Sequence, residues 1–159
     1  MKIVCVGYRD WALKIYDYIA NHTDNIVLII RSKEQYNEDV IKDFAPDLIL
    51  YYGWSWIIDD NILDTFTSIM LHPSPLPKYR GGSPIQNQII RGEKETLVTL
   101  FIMNRELDAG DIIAQQSISL EGHLPEIFGR ITEAGIELTM KILQDGYTKQ
   151  VQNHSQATL

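Results

Sequence analysis

The segment Lys2-Ile3-Val4-Cys5-Val6-Gly7 decides the fold, because a short β-branched apolar run that ends at a glycine is typical of a buried strand. Three similar runs follow, at residues 26–30, 48–52 and 68–71. Helical patterns separate the four runs, at residues 11–20, at residues 37–44 and in a stretch that ends at residue 66. This alternation predicts an α/β domain with a Rossmann-like, mostly parallel sheet and flanking helices.

The second half of the chain adds further elements around a loop rich in proline and glycine at residues 73–83. Ser83 and Pro84 are typical of the start of a helix, which we expect to run to Arg91. Residues 96–103 and 112–120 predict two paired strands, and residues 124–145 predict a long amphipathic helix. We expect residues 1–150 to form one domain and residues 151–159 to form a loose polar tail.

Bulk properties exclude several classes of function. The net charge is -7, and Lys and Arg residues form no cluster, which argues against a nucleic-acid partner. The single cysteine, Cys5, lies in an apolar run and is expected to be a buried, inert thiol. The sequence has neither a signal-peptide pattern nor an apolar stretch near the roughly 20 residues that span a bilayer. We therefore expect a cytoplasmic protein with no membrane partner.

The residues with the clearest chemical potential begin where the fourth strand ends, at His72. Ligands of parallel sheets lie outside the carboxyl ends of the strands, and His72 falls at that edge, in front of a loop that prolines stiffen. A carboxylate such as Asp108 would fix the tautomer of this imidazole and create a general acid/base pair. A structural or surface histidine is the alternative that the residues alone leave open. The other histidines, His22, His123 and His154, lie in polar or terminal settings and are interpreted as solvated.

This stretch resembles the folate-dependent formyltransferase family, whose shared pattern is Asn-x-His-Pro-Ser-Leu-Leu-Pro-x-Tyr-Arg-Gly with a later aspartate in an Asp-Ala-Gly-like turn. The matching positions are His72, Pro73, Ser74, Leu76, Pro77, Tyr79, Arg80 and Gly81, with Asp108 in Leu107-Asp108-Ala109-Gly110-Asp111. The separation of 36 positions (108 − 72) also fits the family, and the similarity runs from Met1 to about Gly146. Within the family, the sequence is most like the sugar-nucleotide N-formyltransferases.

The resemblance implies that the protein moves a formyl group from 10-formyltetrahydrofolate to the amino group of a nucleotide-linked amino sugar. In this interpretation His72 carries the proton and Asp108 orients His72. No metal is expected, since no residues have the spacing of zinc ligands. Two rival functions stay open: a formyltetrahydrofolate hydrolase, and a folate- or nucleotide-binding module with impaired catalysis.

One departure from the family pattern concerns catalysis directly. The family asparagine lies two residues before the histidine, and Met70 occupies that position here. The asparagine amide is thought to stabilise the oxyanion, and a thioether cannot donate a hydrogen bond. Three outcomes are open: Asn87 or a backbone N–H replaces the donor, protonated His72 acts alone, or the chain binds ligands and catalyses poorly. Many relatives also carry a C-terminal extension, which we expect to be missing or cut away here, so that a weak homodimer is an open alternative to a monomer.

The resemblance also implies where ligands bind. The expected folate-binding residues are Trp54, Ser55, Trp56, Ile57, Ile58, Leu107, Ala109, Gly110 and Asp111. The expected residues for the amine substrate are Tyr8, Arg9, Trp11, Lys78, Tyr79 and Arg80. The alternatives are that the tryptophans anchor the core and that Arg9 is simply exposed.

Overall fold

The computed structural model describes every residue from Met1 to Leu159. The strands are β1 (Lys2–Val6), β2 (Ile26–Ile30), β3 (Leu48–Tyr51), β4 (Ser68–Pro73), β5 (Glu95–Ile102) and β6 (Ile112–Ser119). The helices are α1 (Asp10–His22), α2 (Glu38–Phe44), α3 (Asp60–Thr65), α4 (Pro84–Ile90) and α5 (Leu124–Asp145), with a 3₁₀ turn at His154–Gln156. No helix combines the length and the apolar character that crossing a membrane requires.

All six strands form one sheet in the order β2-β1-β3-β4-β5-β6. The first four strands run parallel, and β5 and β6 pair antiparallel at the far side. The predicted fold class is therefore confirmed. Strand β4 continues two residues beyond the predicted end at residue 71, because His72 and Pro73 pair with Thr99 and Val98 of β5.

The core lies on both faces of the sheet, as the alternation of side chains along β1 requires. Ile3 and Cys5 belong to the larger apolar cluster, which packs beneath α1 and α5. Val4 and Val6 belong to a second cluster on the opposite face, where α2 and α3 contribute buried isoleucines. The domain thus has three layers, with helices on either side of the sheet. Cys5 is fully buried, as expected, and this burial raises the pKa of its thiol.

A buried tyrosine fixes the carboxyl ends of β1 and β3 relative to each other. The Tyr16 hydroxyl of α1 donates to the Val6 carbonyl at 2.6 Å and accepts from the Tyr52 backbone N–H at 2.7 Å. It has no solvent exposure, and burial raises the pKa of Tyr16 well above its ordinary value. Side chains that follow β1 and β3 therefore start from a rigid edge.

The expectation that residues 151–159 are loose is wrong, because this segment and the residue before it, Gln150, here together called the tail, pack against the domain. Gln150 forms a pair of backbone hydrogen bonds with Ile112 at 2.8 Å each. Further along, Arg80 donates its backbone N–H to the Thr158 carbonyl at 2.7 Å. Backbone hydrogen bonds at both ends hold this polar segment in place. The segment contains no apolar run, so its sequence gives no sign that it packs against the domain.

Candidate active site

The candidate catalytic imidazole is nearly buried at the end of β4. His72 is 5% exposed, and its Nε2 lies 2.7 Å from the Tyr79 carbonyl oxygen. A carbonyl oxygen only accepts hydrogen bonds, so Nε2 carries a proton in this geometry. In the neutral ring the other nitrogen, Nδ1, therefore has its lone pair free to accept a proton.

The loop of residues 73–83, here called the His loop, folds back on itself to present the Tyr79 carbonyl to the ring. Tyr79 has a φ of 58°, a left-handed conformation that is uncommon for a residue with a side chain. The Ser74 hydroxyl donates to the Lys78 carbonyl, and the Thr99 hydroxyl donates to the Ser74 carbonyl, both at 2.7 Å. These contacts tie the loop to itself and to β5, so that the carbonyl is held rather than mobile.

Asp108 lies beside Nδ1 but does not form a hydrogen bond with it. Its Oδ2 is 3.7 Å from His72 Nδ1 and accepts the backbone N–H of Gly81 at 2.8 Å. The direct hydrogen bond of the His72 ring runs to the Tyr79 carbonyl, whereas Asp108 faces the ring without a hydrogen bond, so its orienting role stays a prediction. The carboxylate faces the lone pair of Nδ1 and is suited to attract a proton that arrives there. Asp108 is 7% exposed and has a φ of 50°, a second left-handed residue at this site.

A cavity of about 550 Å³ opens over this pair at the carboxyl ends of β1, β3 and β4, within the range of small-molecule sites. His72, Asp108 and Met70 all contribute to its wall. Asn87 does not line the cavity, and its amide donates to the Gly82 carbonyl at 3.3 Å, which argues against Asn87 as a replacement for the family asparagine. Gly82 and Ser83 do line it, and their backbone N–H groups have no protein acceptor. Backbone groups are therefore the donor alternative that the geometry supports.

Only part of the expected folate-binding set reaches the cavity. Trp54, Ser55 and Leu107 line it. Ile58 is buried in the core, and Ile57 is fully exposed outside the cavity. Trp56, Ala109, Gly110 and Asp111 also lie outside the lining. The Asp-Ala-Gly turn packs against the end of β5, where Gly110 meets the Ile102 backbone.

The expected amine-binding set is likewise divided. Arg9 and Trp11 line the cavity. Tyr8 stands behind them, with its ring 4.8 Å from the Arg9 guanidinium and its hydroxyl 2.6 Å from Ser55 Oγ. Lys78, Tyr79 and Arg80 do not line the cavity.

Contacts elsewhere explain these three absences. The Tyr79 hydroxyl donates to Glu93, and the Arg80 guanidinium donates to Gln152 and His154 of the tail. Lys78 is exposed, and its backbone carbonyl accepts from Ser74. His22, His123 and His154 are exposed, in agreement with their interpretation as solvated.

Sequence reasoning missed several residues of the wall, namely Asp10, Gly53, Leu71, Pro73, Gly81, Gly82, Ser83, Pro84, Ile85, Gln86 and Phe128. Most belong to the His loop and the first turn of α4, so the proline- and glycine-rich composition was an available signal. Phe128 had no such signal, because it lies on the apolar face of α5 like any core residue. The described side chains include no group of three or more His, Cys, Asp or Glu residues suited to hold a metal.

The fold and this site define an α/β protein with a small-molecule cavity at the carboxyl edge of its sheet, and comparisons with known proteins identify the family. The family model described as "Formyl transferase" matches residues 15–137. The chain belongs to this family of folate-dependent formyltransferases. It is 36% identical over 137 residues to a methionyl-tRNA formyltransferase of Lysinibacillus sphaericus, a match that covers 81% of this chain and 43% of that relative.

Solved structures agree with the family assignment. A methionyl-tRNA formyltransferase from Clostridium thermocellum superposes with a TM-score of 0.90 and 31% identity, covering 99% of this chain and 70% of that one. The formyltransferase PseJ from Anoxybacillus kamchatkensis, solved with a UDP-linked formamido sugar and tetrahydrofolate, has a TM-score of 0.74 and 22% identity, covering 96% and 82%. The likeness to PseJ is one of fold, whereas the sequence similarity is with methionyl-tRNA formyltransferases. The chain spans less than half of the length of the curated relatives it matches.

Proposed function

We propose that this chain transfers a formyl group from 10-formyltetrahydrofolate to a primary amine. In this proposal residues 1–150 form the catalytic domain, and residues 151–159 pack onto it. The observation that carries the proposal is the His72 ring, whose Nε2–H is taken by the Tyr79 carbonyl and whose Nδ1 lone pair lies beside Asp108 at the cavity wall. Membership in the formyltransferase family supports the reaction class.

The chemistry needs one proton to move. The acceptor amine attacks the formyl carbon, so that a new carbon–nitrogen bond forms while the bond from that carbon to N10 of the folate breaks. Nδ1 of His72 accepts the proton that the amine loses and returns it to N10 of the departing tetrahydrofolate. The resulting imidazolium donates toward Asp108, whose other contact, the Gly81 N–H, keeps the carboxylate in place. The products are a formamide and tetrahydrofolate, and no atoms are left over.

The developing oxyanion needs donors that Met70 cannot supply. Gly82 and Ser83 line the same cavity, and their N–H groups lack protein acceptors, which supports these groups as the replacement. Backbone donors are fixed by the loop, so they cost little reorganisation during the reaction.

The residues present fit a folate at one side of the cavity. Trp54 belongs to the core and is 8% exposed, and its exposed edge adds an apolar patch to the cavity wall. Neighbouring rings hold it, with Trp56 4.7 Å and Tyr8 6.1 Å away between ring centres. A flat heterocycle packs well against such a wall. Leu107 lines the cavity next to Asp108, so the formyl end of the donor would lie near His72. The tetrahydrofolate bound to PseJ, a neighbour in fold, supports the same donor.

For the acceptor, we propose the amino group of a nucleotide-linked sugar, which would enter past Arg9 and Trp11. Arg9 supplies a guanidinium suited to a diphosphate, and the net charge of -7 disfavours a large polyanion. Methionyl-tRNA is the second candidate, because the relative from Lysinibacillus sphaericus that carries this substrate in its name is 36% identical. The two acceptors share the primary amine that the His72 mechanism requires.

The test is a formyl-transfer assay with 10-formyltetrahydrofolate and three acceptor conditions: nucleotide-linked amino sugars, methionyl-tRNA, and no amine. We expect formylation of an amine, and we expect His72→Gln to lower kcat by about 10²–10⁴-fold because the general base is lost. His123→Gln is the matched control, since His123 is exposed outside the site and the variant should keep wild-type activity.

Three other outcomes identify the rivals. Formate release at the same rate without an amine would indicate a hydrolase. Tetrahydrofolate binding without formylation of any acceptor would indicate a binding module, which a thermal-shift measurement detects as ligand-induced stabilisation. Formylation of methionyl-tRNA alone would leave the reaction in place and overturn the sugar acceptor.

A further inference from the structure

The side chain of Gln152 connects the two loops that form the candidate site. Its Nε2 donates to the Asp108 carbonyl at 2.9 Å and to the Gly110 carbonyl at 2.7 Å. Its Oε1 accepts from Arg80 of the His loop, from Nη2 at 2.8 Å and from Nε at 3.3 Å. Two donors and two acceptor positions are the full capacity of an amide, so every polar group of this side chain is used. Gln152 is 4% exposed, which makes these contacts costly to lose.

The backbone conformation of the site explains why such a connection matters. The carbonyl of Tyr79 and the carboxylate of Asp108 both face His72. Both residues have positive φ values, 58° for Tyr79 and 50° for Asp108. Such residues persist only where surrounding contacts hold them. The tail supplies a contact to each: Gln152 bonds the Asp108 carbonyl, and Thr158 Oγ1 accepts the Tyr79 N–H at 2.9 Å.

We propose that Gln152 is a positioning residue that holds Asp108 and the His loop at the separation the His72 reaction requires. This inference rests on the proposed function, since the effect it describes is on formyl transfer. The loop of Asp108 and the His loop also share one direct hydrogen bond, which the Gly81 N–H donates to the Asp108 carboxylate. Loss of the amide would release the strained Asp108 backbone and weaken that bond as well.

Two variants test the proposal. Gln152→Met keeps the length of the side chain and removes all its hydrogen bonds, while Gln152→Glu keeps an acceptor for Arg80 and removes both donors to the Asp108 loop. We expect both to lower kcat by about tenfold to 10²-fold, as small displacements of reacting groups do, with KM for the formyl donor changed less than threefold. Gln156→Met is the matched control, because Gln156 is exposed in the same tail and its side chain has no hydrogen bond.

A measurement that needs no activity separates this proposal from the proposed function. The hydrogen exchange of the Gly81 amide, followed by NMR, should become at least tenfold faster in both Gln152 variants and stay unchanged in Gln156→Met. If no acceptor is ever formylated, the proposed function fails while Gly81 exchange still reports on positioning. Wild-type Gly81 exchange in Gln152→Met, or wild-type kcat in an active Gln152→Glu enzyme, would overturn the proposal. A variant that does not fold is replaced by Gln152→Asn, which keeps the amide but shortens the side chain by one carbon and so withdraws it from the Asp108 loop; it should show the same faster Gly81 exchange, and wild-type exchange would overturn the proposal.

Discussion

Gly110 lies where the Asp108 loop meets β5, and the substitution Gly110→Ala tests that contact. A Cβ at this position would overlap the Ile102 carbonyl oxygen and come within 2.8 Å of the Ile102 carbonyl carbon. The obstacle is the backbone of a paired strand, so no rotamer change relieves it. Overpacking of this kind costs about 1–3 kcal/mol, and a rigid obstacle favours the upper value of about 3 kcal/mol. For a domain of this size each kcal/mol lowers Tm by about 2–4 °C, which predicts a loss of about 6–12 °C.

Gly82→Ala is the control for this prediction, because a Cβ there meets nothing within 4 Å. Its Tm should stay within about 2 °C of wild type, as for other surface substitutions. Both variants are compared with wild type by thermal unfolding followed by circular dichroism at pH 7. A Tm of Gly110→Ala within 2 °C of wild type, or an equal loss in Gly82→Ala, would refute the steric reasoning.

Three further predictions concern catalysis, the buried tyrosine and alkaline stability. Met70→Asn adds a side-chain donor where the proposed backbone donors already act, so it should change kcat by less than about threefold in the formyl-transfer assay, as should Met70→Leu. A rise of about 10²-fold in Met70→Asn alone would contradict the proposed replacement of the family asparagine by backbone donors. Tyr16→Phe leaves the buried Tyr52 N–H without its acceptor and should lower the free energy of unfolding by about 1–3 kcal/mol, as measured by urea denaturation. An unchanged free energy of unfolding would contradict the structural role of the Tyr16 hydroxyl. Burial raises the pKa of Cys5, Tyr16 and Tyr52, so these groups keep their protons in the folded state and lose them in the unfolded state at high pH. The free energy of unfolding should therefore fall as pH rises above about 9, less steeply in Cys5→Ala, and a flat profile to pH 11 would count against this linkage.

The pattern of apolar residues predicted most of the fold. The parallel strands are buried on both faces, so each one appears in the sequence as a continuous apolar run. The run at residues 2–6 reads as continuously apolar, and its side chains alternate between the two clusters of the core. The long helix was predicted at its observed bounds, Leu124–Asp145, since Gly146 ends an amphipathic pattern. The first helix was predicted over residues 11–20 and is longer at both ends, since α1 spans Asp10–His22 and its N-cap position belongs to Arg9, which makes no side-chain capping bond.

The geometry of the site was less accessible to sequence reasoning than its members. His72 and Asp108 were predicted as partners, and they lie 3.7 Å apart, but the bond that orients the ring comes from a backbone carbonyl. Every residue has a backbone carbonyl, so the sequence does not show which one will face His72. Tyr79 also adopts a left-handed conformation that residues with a side chain rarely adopt, so the turn could not be predicted. Gln152 was hidden for a similar reason: a polar residue in a polar tail has no pattern that predicts burial.

The complete burial of Cys5 has a practical consequence for anyone who handles this molecule. Its sulfur is the only thiol in the chain and lies on an interior strand, under the layer formed by α1 and α5. An alkylating reagent near neutral pH reaches it only after that layer separates from the sheet. When the domain closes faster than the reagent reacts, the rate at which label accumulates reports the population of the open state, and a mass spectrum taken over hours measures that population without any engineered probe.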